Sequence, residues 1–369
     1  MSQDPGVPWG GPRTAHELPR AVTDRWQMPR SRRAVLAGAV LVPLLAGPDL
    51  LFPRAGLRNV AYRHGKPIEP VATAEADWQD VVRALGGQEG ELDGNMAYRL
   101  GYPRTDLRIS SRGFVLNPEL GLGTYISFVR YADQRTMLMG DMMVTEVEVQ
   151  RTLDVLSSYG IACTALHKHL LAHRPPLWWI HLHAVDSDPL ALARGMRDAL
   201  QVAGPSRPLP PSSPSPSSLS PERMDLDTEG IDAALGSQGT GTDVYKVTFF
   251  RKERIIYHDR VLPRRTGGVT DLVFQPVGDG RAVLLGEFAM VAGEVQGVLD
   301  ALRRHGISAV ELHSHMLMEE PRMFFLHIWA VDDAVRLARG LRAGVDLMQV
   351  DTRPAHDSPP TGHPGPGSP

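Results

Sequence analysis

Seven histidines recur at strand-like spacing in two parts of the chain. They are His167, His169, His181, His183, His313, His315 and His327. Successive side chains of a β-strand point to opposite faces, so histidines two residues apart share a face. Neutral imidazole is a common ligand of zinc, copper and iron, and three histidines leave a coordination position open for water or substrate. The pattern therefore predicts a divalent metal site.

The segments that carry these histidines predict a β-hairpin in each part of the chain. A turn near residue 175, and its counterpart further along, implies this register: His169 opposite His181, His167 opposite His183, His315 opposite His327 and His313 opposite Trp329. Directly opposed side chains of an antiparallel pair lie about 5 Å apart. We therefore expect the register itself to bring the imidazoles together.

Three carboxylates are candidates to support such a site. Asp141 and Glu287 each follow a glycine at a strand end, and Glu311 lies two residues before His313, on the same predicted face. A carboxylate there can ligate a metal or orient an imidazole. Two alternatives stay open: the histidines line a pocket for a polar small ligand without a metal, or they form a structural ladder.

Composition narrows the kinds of partner and site. The formal net charge is −3, so no basic surface for nucleic acid is expected. The single cysteine, Cys163, excludes an internal disulfide and a thiolate cluster. We therefore expect a small molecule or metal as partner, held by His, Asp or Glu.

The chain contains two copies of one unit. Residues 135–185 align without a gap to residues 281–331, with 19 of 51 positions identical. We place the first copy at residues 75–202 and the second copy at 225–350. A segment rich in proline and serine, 203–224, is typical of an extended linker, and residues 351–369 are expected to be a disordered tail.

The periodicity within each copy predicts an α+β fold. The pattern is strand, helix, strand, strand, helix with an extra strand upstream, which is typical of a ferredoxin-like sandwich. Thr145 and Glu148 form a capping-box pattern before the first helix, and Gly160 is placed to end it. Helices would cover one face of each sheet, so the two open faces could pack together as an intramolecular pseudo-dimer.

The N-terminal region, residues 1–53, predicts export. Ser31, Arg32 and Arg33 precede an apolar run over 34–47, the layout of a twin-arginine signal. The run is too short for a stable span, since a transmembrane helix needs roughly 20 apolar residues. We expect a periplasmic, extracellular or cell-envelope location, with an uncleaved N-terminal anchor as the alternative.

Several segments together resemble the LppY/LpqO family of bacterial exported proteins and lipoproteins, among them "MLMGDMMVTEVEV", "GIACTALHKHLL" and "IHLHA". The resemblance covers both copies and implies export and a tandem domain of unknown function, but no catalytic residue. The chain departs from the lipoprotein members because no lipobox cysteine follows the apolar run. The second copy has Trp329 where a histidine stands in the first. We therefore expect the first copy to hold the working site.

These features together predict an exported protein that binds zinc, copper or iron on a histidine-rich sheet face, with hydrolytic or redox chemistry as the associated activity. The competing hypothesis is a non-catalytic module that binds a small ligand or has a structural role in the cell envelope.

Overall fold

The computed structural model describes residues 65–204 and 224–351. The predicted export signal, almost all of the predicted linker and all but the first residue of the predicted tail lie outside these ranges. No helix within them is both long and apolar enough to cross a membrane.

Residues 65–204 form one antiparallel sheet with helices. Its helices are α1 (Gln79–Ala84), α2 (Val149–Ser158) and α3 (Pro189–Val202). Its strands are β1 (Glu91–Asp93), β2 (Ala97–Pro103), β3 (Ser110–Ser111), β4 (Phe114–Val115), β5 (Gly123–Arg130), β6 (Thr136–Thr145), β7 (Ala162–His167), β8 (His173–Arg174) and β9 (Leu177–Asp186). The main sheet has the order β1-β2-β5-β6-β9-β7, and the short strands pair as β4-β3-β8.

Residues 224–351 repeat this arrangement. The helices are α4 (Thr228–Leu235), α5 (Arg264–Gly267), α6 (Val295–Arg304) and α7 (Ala334–Val345). The strands are β10 (Tyr245–Arg251), β11 (Ile256–Tyr257), β12 (Arg260–Val261), β13 (Val269–Pro276), β14 (Arg281–Val291), β15 (Ser308–His313), β16 (Met323–Asp333) and β17 (Val350–Asp351). Five strands of its sheet, β15-β16-β14-β13-β10, correspond in order to β7-β9-β6-β5-β2 of the first copy, while the sixth position is taken by β17, which follows the last helix, instead of a strand that precedes β10. The prediction of an α+β fold with two similar halves is confirmed.

The turn into the first long helix of each copy is built by one glutamate. The Glu148 carboxylate accepts a hydrogen bond from the Thr145 backbone N–H at 2.7 Å, and Glu294 accepts one from Val291 at 3.0 Å. The glutamate hydrogen bond of the capping box predicted for the first copy is thus present in both copies, although the second copy has no threonine at the corresponding position. After each helix a glycine, Gly160 or Gly306, takes a positive φ that other residues rarely adopt.

Each copy has its own core between helices and one sheet face. In the first copy, Trp78 of the first helical turn and Leu192 of α3 pack against Leu138 and Ile180 of the sheet. Burial of each such side chain contributes roughly 2 kcal/mol. This packing leaves the other face of each sheet available for different contacts.

Two apolar clusters on those other faces contain residues of both copies. One places Trp179 and Met143 with Leu285 and Trp329. The second places Met137 and Tyr131 of the first copy with Tyr257 and Phe325 of the second. The Tyr131 hydroxyl also donates to the Val261 carbonyl oxygen at 2.9 Å. Side chains of both copies are therefore in contact on the faces that carry the histidines.

Candidate metal centre

The histidine hairpins form, but not in the predicted register. His167 is paired with Trp179, and His181 with Ala165. In the second copy His313 is paired with Phe325, and His327 with Glu311. The prediction was wrong by four residues because the strand ends at His167 and an irregular segment follows. There the His173 ring accepts the Leu177 N–H at 2.9 Å and helps to close the hairpin tip.

An even shift preserves the face of every side chain within the strands, and the ring contacts place His169 and His315, which lie just beyond β7 and β15, beside His167 and His313. The imidazole closest to each of them belongs to the other copy. The ring centroids lie at these distances: His167 to His313, 3.5 Å; His169 to His327, 3.8 Å; His181 to His315, 3.8 Å. We call these six residues the histidine cluster.

The ring contacts keep their values when the two copies are exchanged. His167 lies 4.8 Å from His169, and His313 lies 5.0 Å from His315. The distances from His167 to His181 and from His313 to His327 are 4.9 Å and 5.0 Å. His167 and His313 therefore occupy the centre of a locally symmetric arrangement.

The three candidate carboxylates have different positions. Glu287 Oε1 lies 2.7 Å from Nε2 of His315 and 3.6 Å from Nε2 of His327. Asp141, its counterpart in the first copy, is the cross-strand partner of His181 but does not belong to a group of converging ligand atoms. Glu311 pairs with His327 in register, yet it lines a groove beside Val295 and is not brought to the cluster.

His183 is also outside the cluster. Its ring stacks on His258 at 4.9 Å and meets the edge of Tyr257 at 4.4 Å. Both partners belong to a segment of the second copy between β10 and β13. Sequence reasoning did not single out His258, because the repeat alignment gives that segment no histidine counterpart.

Ligand atoms converge in three groups among the described residues. In each group the atoms lie within 4.8 Å of one another, and the groups are Glu287, His313, His315 and His327; His167, His169 and His327; and His167, His181 and His313. The first belongs to the second copy alone, and the other two draw on both copies. This differs from the expectation that the first copy would hold the site.

Five rings of the cluster have an Nε2 atom without a hydrogen-bond partner among the described residues. Within the described part of the chain, none is found for the buried Nε2 atoms of His167, His169, His181, His313 and His327. A buried polar group without a partner costs roughly 1–3 kcal/mol. Five such atoms pointing into one small volume are a costly arrangement for a purely structural role, and a metal ion would satisfy them.

Burial keeps these rings neutral. It lowers the pKa of His167 to about 3 and that of His327 to about 4, with the neighbouring imidazoles adding to the shift for both. Burial alone raises the pKa of Glu287, but His315 and His327 outweigh it and hold the pKa at about 2. Neutral imidazoles beside an ionised carboxylate are the protonation states that a metal ion requires.

A cavity of about 740 Å³ opens beside the cluster. His169, His181, Glu287 and His315 line it, and Asp141 faces it from the first copy. Its far wall contains Arg265 of the second copy, whose Nε lies 3.2 Å from Asp93 of the first. The cluster therefore borders a polar space large enough for a small molecule.

The fold and the cluster define a tandem α+β protein in which side chains that could hold a metal ion converge from both copies. The chain belongs to the family described as Domain of Unknown Function (DUF1259), whose profile matches residues 79–202 and 229–347. The expectation of a duplicated domain of unknown function is confirmed.

Two further comparisons add no function. No curated protein matches the chain. Among solved structures, the trimeric bacterial microcompartment shell protein PduB is 10% identical and aligns over 71% of this chain and 91% of its own. Its TM-score is 0.20, which is too low to support an argument about the fold.

Proposed function

We propose that this chain binds a divalent transition-metal ion in its histidine cluster and uses it in the adjoining cavity. The observation that carries the proposal is the convergence of six imidazoles and Glu287, with buried Nε2 atoms that have no other partner among the described residues. The proposed ligands of the ion are Glu287, His313, His315 and His327.

The donor set decides the class of metal. Calcium and magnesium prefer oxygen ligands, whereas imidazole nitrogen suits zinc, copper and iron. When bound, such an ion supplies Lewis-acid or redox chemistry. The chain contributes the orientation of His315 through Glu287, and the cavity lined by His181 and Asp141 provides room for a substrate.

Architecture and export belong to the same proposal. We interpret each copy as a ferredoxin-like sandwich and the pair as an intramolecular pseudo-dimer joined by its open sheet faces. The symmetry of the ring contacts and the apolar clusters that contain both copies support this. The twin-arginine pattern at Ser31, Arg32 and Arg33 and the resemblance to LppY/LpqO proteins support export.

A second candidate function is non-catalytic binding of a small polar ligand. The observation that favours it is the cavity, whose lining includes Tyr125, Arg99 and Arg265 as well as histidines. In that case the imidazoles would donate and accept hydrogen bonds to the ligand, and no metal would be needed.

Metal analysis separates the two candidates. The protein, purified without a polyhistidine tag, should contain zinc, copper or iron by mass spectrometry, and added metal should raise the Tm of the stripped protein. The double variant His313→Ala/His315→Ala should contain less metal and show a smaller rise in Tm. His305→Ala, which removes an exposed histidine at the end of α6, is the matched control. Metal-free wild type whose Tm ignores added zinc, copper and iron would overturn the proposal.

A further inference from the structure

The histidine cluster contains more donors than one ion can use. Six imidazoles and Glu287 supply seven side-chain donors, whereas zinc usually takes about four ligands. An ion held by the four donors of the second copy leaves His167, His169 and His181 without a metal ion to bind. Their Nε2 atoms are buried and lack hydrogen-bond partners among the described residues, so a single ion resolves only part of the arrangement.

The three groups of ligand atoms show how the donors divide. Glu287 and His315 occur only in the group of the second copy. His167 occurs in both of the other groups and never together with Glu287. His313 and His327 belong to two groups each, so they lie at the boundary. Two separate three-donor sets can therefore be drawn, one that contains Glu287 and His315 and one that contains His167.

We propose that the cluster holds two divalent metal ions, a first bound by Glu287 and His315 and a second bound by His167. Each set is completed by a boundary histidine and, for the second ion, by His169 or His181. The inference rests on the proposed function, because it requires that the cluster binds metal at all.

Charge and access both accommodate a second ion. Asp141, partly buried and directly opposite His181 on the neighbouring strand, places a second carboxylate on the side of the first copy. It is the counterpart of Glu287, so each half of the cluster has one acidic residue nearby. The cavity borders His169 and His181 as well as Glu287 and His315. Donors of both sets thus face the same space, where water or substrate can complete the coordination.

The test is the stoichiometry of zinc bound to the full chain. Metal-stripped protein is titrated with Zn²⁺ by calorimetry, and bound zinc is counted by mass spectrometry after gel filtration. We expect two zinc ions per wild-type chain. Glu287→Gln/His315→Ala should retain one ion, His167→Ala should retain one, and the combined triple variant should retain none. His305→Ala should keep both.

Each outcome decides a different claim. One zinc per wild-type chain overturns the two-ion inference and leaves the proposed function standing. No zinc overturns both. Complete loss of zinc in His167→Ala, with native circular dichroism, also contradicts two separable sites. Because the wild-type ratio needs no substitution, a variant that fails to fold does not leave the inference undecided.

Discussion

The two copies share the order of five sheet strands and a histidine pattern, but they differ at positions beside the cluster. Asp141 of the first copy corresponds to Glu287 of the second, and His183 corresponds to Trp329. Glu287 reaches His315, while Asp141, one methylene shorter, stays outside the ligand groups. Duplication thus supplied symmetric imidazoles, and two substitutions made the surroundings of the cluster unequal.

The unequal carboxylates carry unequal charge. Burial raises the pKa of Asp141 to about 7, and the nearby negative charge of Glu287 adds to the shift. The imidazoles His315 and His327 hold the pKa of Glu287 at about 2. Below about pH 7 the negative charge of the metal-free protein therefore lies mainly on Glu287, which together with its 2.7 Å contact to His315 favours Glu287 as a ligand of the first ion.

Another feature is equal in the two copies. The buried Arg104 guanidinium is paired with Asp106 and Glu148, and the buried Arg251 guanidinium with Glu253 and Glu294. Glu148 and Glu294 are the residues that cap the turns into α2 and α6. Each guanidinium thus ties a helix start to its sheet.

The largest expected effect tests this equality. Arg104→Leu and Arg251→Leu each leave two carboxylates without their cation, and breaking a buried pair costs about 3–5 kcal/mol. Both variants should lower the free energy of unfolding in urea by similar amounts. Arg83→Leu removes an exposed pair with Asp80 and should cost less than about 1 kcal/mol. A large cost in only one of the two copies would contradict the equality.

The next largest effect is a change of stability with pH, to which one histidine of each copy contributes. The folded-state pKa of His167 is about 3 and that of His327 about 4, below the ordinary 6.5, so the unfolded chain binds more protons as the pH falls below 6.5. The stability of the metal-free protein should therefore fall from pH 6.5 to about 4. His327 alone contributes roughly 3 kcal/mol to this loss.

Urea unfolding at a series of pH values measures the slope. His327→Gln and His167→Gln should each flatten it, while His305→Ala should leave it unchanged. The stability that Glu287 contributes depends on pH in a different range from that of the histidines. Its low pKa stabilises the fold above pH 4.5, and this stabilisation is lost as the pH falls from 4.5 through about 2. A wild-type stability that does not change between pH 7 and 4 would contradict the assigned burial of the rings.

A smaller effect compares the glycines before the two carboxylates. A Cβ on Gly140 would lie 2.2 Å from the Tyr125 carbonyl oxygen and 2.8 Å from Ile126 Cα, whereas a Cβ on Gly286 would lie 2.9 Å from the Asp271 oxygen. Gly140→Ala requires a backbone shift and should cost roughly 1–3 kcal/mol. Gly286→Ala should cost less stability, and the fall in Tm of each variant measures the difference. A larger fall in Tm for Gly286→Ala than for Gly140→Ala would show that the first copy is not the more tightly packed.

The smallest effect concerns His183. Its ring packs against Tyr257 and His258, and its buried Nε2 has no hydrogen-bond partner among the described residues. Because phenylalanine keeps the ring contacts and removes the unpaired nitrogen, His183→Phe should not lower the Tm and should leave the bound zinc unchanged. Loss of a zinc ion in this variant would place His183 among the ligands.

Local patterns were sufficient to predict much of the fold. The repeat, the helix after Thr145, the helix ends at Gly160 and Gly306 and the faces of the histidines follow from residue type and period. The repeated arginine network was not predicted, because the gapless alignment covers 135–185 and 281–331 and therefore excludes both Arg104 and Arg251.

The two-residue alternation of side chains along a β-strand was enough to predict that the histidines share a face. A change of register by an even number of residues leaves this prediction intact. Which rings meet was decided only by tertiary structure. His167 meets His313 in a region where apolar clusters that contain Trp179 and Phe325 draw on side chains of both copies. Contacts between segments 146 residues apart depend on the packing of whole faces, and no local spacing encodes them.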